Sequence, residues 1–168
     1  YYGDRLAAAR EMVEGGPIDV LTGDYLAELT MKILYDQQQS RGSHLGYVGT
    51  FLKQLDDVVS FCLENGIKIV SNAGGLNPSG MASEIEKIIA AKGLRAKVAY
   101  IDGDDLMPHL ESLKAAGEEL RNIDRDIPMS ECENEVVTAN TYFGCWAIKE
   151  ALDQGADIVV CPRVTDAA

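Results

Sequence analysis

Gly66-Ile67-Lys68-Ile69-Val70-Ser71-Asn72-Ala73-Gly74-Gly75-Leu76-Asn77-Pro78 sets the fold class of this chain. A glycine stops what comes before it, and a β-branched run follows. Small polar residues then lead to a proline suited to the first turn of a helix. Upstream, Val48, Phe51, Leu52, Leu55, Val58, Val59 and Cys62 recur every three or four residues, the spacing of one helical face. The phrase is therefore helix, stop, strand, tip, helix.

The phrase is repeated. A first copy has a helix over residues 4–14, the stop Gly15-Gly16, a strand over 18–21 and the tip Thr22-Gly23-Asp24-Tyr25. A third sets Ile85, Ile88 and Ile89 on a helix, then Gly93, a strand over 96–101 and the tip Asp102-Gly103-Asp104-Asp105. A fourth predicts a helix over 141–153 with Phe143 and Trp146 in the core, then Gly155, a strand over 158–160 and the tip Arg163-Val164-Thr165-Asp166. Alternating strands and helices predict an α/β fold: an open, mostly parallel sheet with helices on both faces, Rossmann-like and three-layered. Crossovers should be right-handed. Residues 37–46 read as a loop after a helix over 25–36, and residues 122–135, acidic and holding Pro128, as a surface excursion.

The 168 residues suit one α/β domain, or the N-terminal part of one. The chain starts without Met and stops where a helix should cover the fourth strand. The expectation is a longer polypeptide, or a partner over the gap. Twenty-seven acidic against 15 basic side chains give a charge of −12, which excludes a nucleic-acid or anionic-membrane partner for the particle as a whole. The four cysteines show no C-x-x-C spacing and only His44 and His109 accompany them, so no zinc framework is drawn and a cytoplasmic, reducing setting is expected. Both histidines read as exposed.

In an open parallel sheet every strand-to-helix loop emerges at one edge, where ligands bind. The glycine-bearing tip with Asn72, Gly74, Gly75 and Asn77 can offer backbone N–H groups to an oxyanion ahead of a helix, although it matches neither a dinucleotide fingerprint nor a P-loop. Asp24 and Asp166 are candidate proton-transfer groups, and Asp104 and Asp105 candidate ligands of a divalent cation. N-capping accounts for such aspartates equally well. Arg163 suits a carboxylate or phosphate, with Thr165 and Asn140 beside it, and a structural ion pair is the alternative. No nicotinamide or flavin is indicated.

The runs Gly16-Pro17-Ile18-Asp19-Val20-Leu21-Thr22-Gly23-Asp24-Tyr25, Lys68 to Pro78, Gly103-Asp104-Asp105, Thr138-Ala139-Asn140 and Arg163-Val164-Thr165-Asp166-Ala167, with Tyr2-Gly3-Asp4-Arg5-Leu6 at the start, resemble the acyclic terpene utilisation protein A (AtuA) family. The resemblance spans almost the whole chain and implies the N-terminal part of a longer family member. It also implies a place in the breakdown of acyclic terpenes through branched acyl-CoA thioesters. Where the family carries a small pair such as Thr-Gly before Arg-Val-Thr-Asp, this chain has Cys161-Pro162, and the proline removes one backbone donor from the tip.

The expected function is a lyase- or hydratase-type step on an acyl-CoA or small acid at the strand tips, needing a base and an oxyanion stabiliser. A non-catalytic ligand-binding or assembly subunit of the same pathway is the alternative. Expected partners are the small acid or thioester, a second copy, or the rest of the chain.

Overall fold

The computed structural model describes residues 5–132 and 135–165. Asp4 of the first helix reading, Tyr2 and Gly3 of the opening run, and Asp166 lie outside the described residues. The elements run α1 (Ala8–Glu14), β1 (Val20–Gly23), α2 (Glu28–Arg41), α3 (Gly49–Glu64), β2 (Lys68–Ser71), α4 (Pro78–Ala91), β3 (Val98–Tyr100), α5 (Leu110–Ala115), α6 (Trp146–Asp153) and β4 (Ile158–Val160), with single 3-10 turns at Met107–His109 and Met129–Glu131.

The strands form one parallel sheet in the order β1-β2-β4-β3. Ile69 of β2 aligns with Ile158 of β4, and Val98 of β3 with the same Ile158. In β4, Ile158, Val159 and Val160 are all fully buried although successive side chains point to opposite faces. Both faces of the sheet are therefore covered there, as parallel sheets require, and the mixed α/β arrangement is consistent with three layers. Each such side chain contributes about 1.5–3 kcal/mol.

On α3 the predicted stripe is the buried one: Phe51, Leu55, Val58, Val59 and Cys62 face the core, with α1 and α4 packed alongside. Gly66, at φ +70°, closes α3 and feeds β2. Arg10 of α1 forks onto α3, its Nε donating to Asp57 Oδ2 at 2.9 Å and its Nη2 to the Asp57 carbonyl at 2.8 Å. The chain returns from β3 to β4 against the direction of the preceding crossovers. With right-handed connections this places α6, which packs on β4, across the sheet from α4.

Three readings are corrected. The predicted loop over 37–46 is helical up to Arg41, because Gln38 and its neighbours continue α2 until Gly42. The fourth helix starts at Trp146 rather than 141, since Phe143 forms an isolated parallel bridge to Val164 instead of a helical turn. Trp146 is 74% exposed and Phe143 only partly buried, so neither is a core anchor.

At the amino end of the sheet, Asp157 gathers the strand starts. Its Oδ1 accepts from Lys68 Nζ at 2.7 Å and its Oδ2 from the Lys97 amide at 2.8 Å. Partial burial pushes this carboxyl up, but the bonds from Lys68 and Lys97 outweigh it and the net shift is downward.

Candidate functional site

Because β1 and β2 pair with Gly23 opposite Ser71, the next residues of each strand, Asp24 and Asn72, leave the sheet side by side. Asn72 Nδ2 donates to Asp24 Oδ1 at 2.6 Å, the Tyr25 amide donates to Asn72 Oδ1 at 2.7 Å, and the Leu26 amide to Asp24 Oδ1 at 3.2 Å. The Asn72 side chain is thus bonded at both ends and straps the two tips. Asp24, Asn72, Ser71 and Thr165 border a shallow pocket of about 190 Å³ with Cys161 and Ile148. Burial pushes the Cys161 thiol up to about 12, and it donates to the Ser71 carbonyl, so it serves as a packed thiol and not a nucleophile.

The glycine-bearing tip is held by the chain itself. The Gly74 amide donates to Cys161 O at 3.2 Å, Leu76 to Gly46 O at 2.7 Å and Asn77 to Gly74 O at 2.9 Å. Asn77 Oδ1 caps α4 through the Gly80 amide at 2.9 Å, while its Nδ2 donates to the His44 and Leu45 carbonyls. Gly75 sits at φ +55°, and a Cβ there would stand 2.3 Å from Leu34 and 2.7 Å from Gly46 O. The absent side chains at Gly74 and Gly75 admit the chain's own atoms, and the amides of Gly74, Leu76 and Asn77 donate to its own carbonyls.

Arg163 is 7% exposed. Its Nη1 donates to the Leu26 carbonyl, its Nη2 reaches Glu28 Oε1 at 3.4 Å, and its guanidinium stacks 4.3 Å above the Tyr142 ring. Tyr142 in turn donates to Glu28 Oε1 at 2.5 Å. Glu28 is drawn below the usual carboxylate range by the Tyr142 bond, its own amide and the Arg163 charge, and the Tyr142 phenol is pushed up by Glu28. The unit fastens the start of α2 to the segment before α6. Arg163 Nε is buried without a hydrogen-bond partner, as is Thr50 Oγ1 on α3, among the described residues.

A second polar group gathers at the tip of β3. Asp104 is 5% exposed and accepts from Asn140 Nδ2 at 2.7 Å through Oδ2. The Asp105–Asn140 bridge, with Thr141 N to Asp104 O at 2.8 Å, sets the two segments against each other. Asp104, Asp105, Asn140, Thr138, Tyr35 and Gln38 border a pocket of about 360 Å³. Burial raises the Asp104 carboxyl above its ordinary value. The Asn140 bond and its own amide oppose this, and Asp105 and Asp102 add to it. Asp105 Oδ1 accepts from the Met107 amide two residues on, at 2.9 Å, just ahead of the 3-10 turn. Among the described residues no three His, Cys, Asp or Glu side chains stand close enough to hold a metal ion.

The one edge expected from the sequence is thus divided. Asp24, Asn72 and Thr165 meet at the β1, β2 and β4 tips, and Asp104, Asp105 and Asn140 meet at the β3 tip. Tyr35 and Gln38 were not legible as pocket residues because their stretch was read as the end of a helix and a loop. Glu28 and Tyr142, 114 residues apart, carry no sequence signal of their meeting.

The sequence profile of the family described as acyclic terpene utilisation family protein AtuA matches residues 1–168. No curated protein and no solved structure matches the chain.

Proposed function

The chain belongs to the acyclic terpene utilisation (AtuA) family, and on that premise we propose that it contributes a lyase- or hydratase-type step on a branched acid or its acyl-CoA thioester. The observation that carries this reading is Asp104: a buried carboxyl, raised by loss of water, on the wall of a polar pocket at the carboxyl edge of a parallel sheet. Such a group exchanges a proton more readily near neutrality than an ordinary aspartate.

In this reading Asn140 fixes one carboxyl oxygen while Asp104 takes the proton from the carbon next to the substrate carbonyl and passes it to the hydroxyl on the following carbon, whose C–O bond breaks as the double bond forms and water leaves. In the reverse sense Asp104 takes a proton from the adding water, whose oxygen bonds to the far carbon, and delivers that proton to the carbon next to the carbonyl. Thr138, Tyr35 and Gln38 supply neutral hydrogen bonds to the carbonyl. Asp24 and Thr165 at the neighbouring tip, and Asp166, are the further candidates for polar contact. No helix among the described residues is long and apolar enough to cross a membrane, and the four free cysteines support a reducing, cytoplasmic setting.

The test is incubation of the full-length protein with branched acyl-CoA thioesters and acids, following gain or loss of water by mass spectrometry. Turnover that falls by about 10²–10⁴ in Asp104→Asn is expected. An unreactive wild type, or full activity in the variant, sinks the reading.

A second reading, a non-catalytic assembly subunit of the same pathway, draws on the exposure of Trp146 at the start of α6. There, Trp146→Glu should abolish association with a pathway partner while leaving the folded chain intact.

A further inference from the structure

The pocket beside Asp104 has two walls that come from distant parts of the chain. Tyr35 and Gln38 belong to α2, whereas Val137, Thr138 and Asn140 belong to the segment that runs toward α6. Of the 14 residues of α2 only Met31 and Leu34 are buried, so the helix meets the core along a short line and its placement depends on ties made elsewhere. We propose that Glu28 and Tyr142 are positioning residues, a clasp that joins the two walls and holds Asn140 against Asp104. The catalytic consequence rests on the reading of Asp104 given above. The clasp itself rests on geometry.

Glu28 opens α2, and Tyr35 follows seven residues on, about two helical turns along the same face. Across the gap, Tyr142 follows Asn140 by two residues. Between them the Thr141 amide donates to Asp104 O at 2.8 Å, and Asn140 Nδ2 donates to Asp104 Oδ2 at 2.7 Å. A shift of Tyr142 is therefore passed to Asn140 through two planar peptide units.

The Glu28 side chain is 80% exposed, and such a carboxylate holds a mobile partner weakly. Tyr142 is held from behind. Its ring stacks 4.3 Å from the guanidinium of Arg163, which is buried and bonded to the Leu26 carbonyl. The ring is thus fixed where its hydroxyl donates to Glu28 Oε1 at 2.5 Å. Fixing it leaves Arg163 Nε buried without a partner among the described residues, a cost that a tie needed for stability alone would avoid.

The test compares Tyr142→Phe, Glu28→Ala and Glu28→Gln in the full-length protein. Tyr142→Phe keeps the stack on Arg163 and removes only the hydroxyl, while Glu28→Gln keeps an acceptor for that hydroxyl. The first readout needs no turnover: NMR of the Asn140 side-chain amide and of Thr141 amide exchange. Tyr142→Phe and Glu28→Ala should move the Asn140 signal toward that of a free asparagine and speed Thr141 exchange about tenfold, with Glu28→Gln within about twofold of wild type. The second readout is turnover of a branched β-hydroxyacyl-CoA thioester. There Tyr142→Phe should lower kcat about tenfold with KM within about twofold, and Glu28→Gln should restore wild-type kcat. An Asn140 signal unmoved in Tyr142→Phe, an equal disturbance in Glu28→Gln, or a kcat undiminished in Tyr142→Phe overturns the proposal. A wild type that turns over nothing while Tyr142→Phe still displaces Asn140 refutes the proposed reaction and upholds the clasp.

Discussion

Two aspartates sit at opposite ends of the same sheet and are treated in opposite ways. At the amino end Asp157 meets a lysine and a backbone amide, and its carboxyl is drawn down. At the carboxyl end Asp104 meets a neutral asparagine and two further aspartates, and its carboxyl is pushed up. One position holds a charge the fold uses to tie strand starts together. The other holds a carboxyl the fold would be more stable without, and such a cost is retained where chemistry needs it.

The largest expected effect lies at Asp104. Asp104→Asn preserves the shape and the bond to Asn140, so turnover should fall by about 10²–10⁴ while thermal stability at neutral pH holds or rises. A variant that unfolds would place Asp104 among the structural charges and erase the contrast. Next is Arg163→Ala, which removes the Leu26 and Glu28 contacts and the Tyr142 stack, and should cost about 2–4 kcal/mol in denaturant unfolding. A change below about 0.5 kcal/mol would instead release Arg163 for a ligand.

Asp157→Asn should cost about 1–2 kcal/mol and mainly alter the acid limb of stability. The sign follows from linkage. Its folded value lies below 3.8, so its contribution is fully present above that pH and disappears as pH falls through the folded value. For Asp104, whose folded value lies above 3.8, the folded state holds the proton longer and stability declines as pH rises from 3.8 through the folded value. Urea midpoints of the two variants against pH should therefore deviate from wild type in opposite directions, and parallel curves would refute the comparison. The smallest effect is expected at Asn72→Ala, which loosens the exposed strap between two tips and should cost about 1 kcal/mol, with no change in the Asp104-dependent rate.

Much of this was legible in the sequence, for a physical reason. The stripe of α3, the stop at Gly66 and the β-branched runs are local signals, and local signals set element type. Strand β4 was read at Ile158–Val160, where the structure has it. Strand order was not legible, because nothing within β3 or β4 states which strand will sit beside it. Trp146 misled because a helical apolar position does not say whether a neighbour covers it. The polar edge misled in a similar way. Tips that leave one edge need not share one pocket, and whether Asp24 and Asp104 meet depends on the width of the sheet between them.

The order β1-β2-β4-β3 also bears on how the chain emerges from the ribosome. β1 and β2 can pair as soon as both are made, but among the described residues β3 has no ladder partner other than β4, translated about 60 residues later. At roughly 5–20 residues per second, β3 waits for about 3–12 s with its edges unpaired. The sheet then closes by insertion of its most buried strand into a gap already flanked on both sides. Slowing codons ahead of Ile158 should therefore lengthen exposure to holdase chaperones, whereas the same pause before Val20 should leave it unchanged.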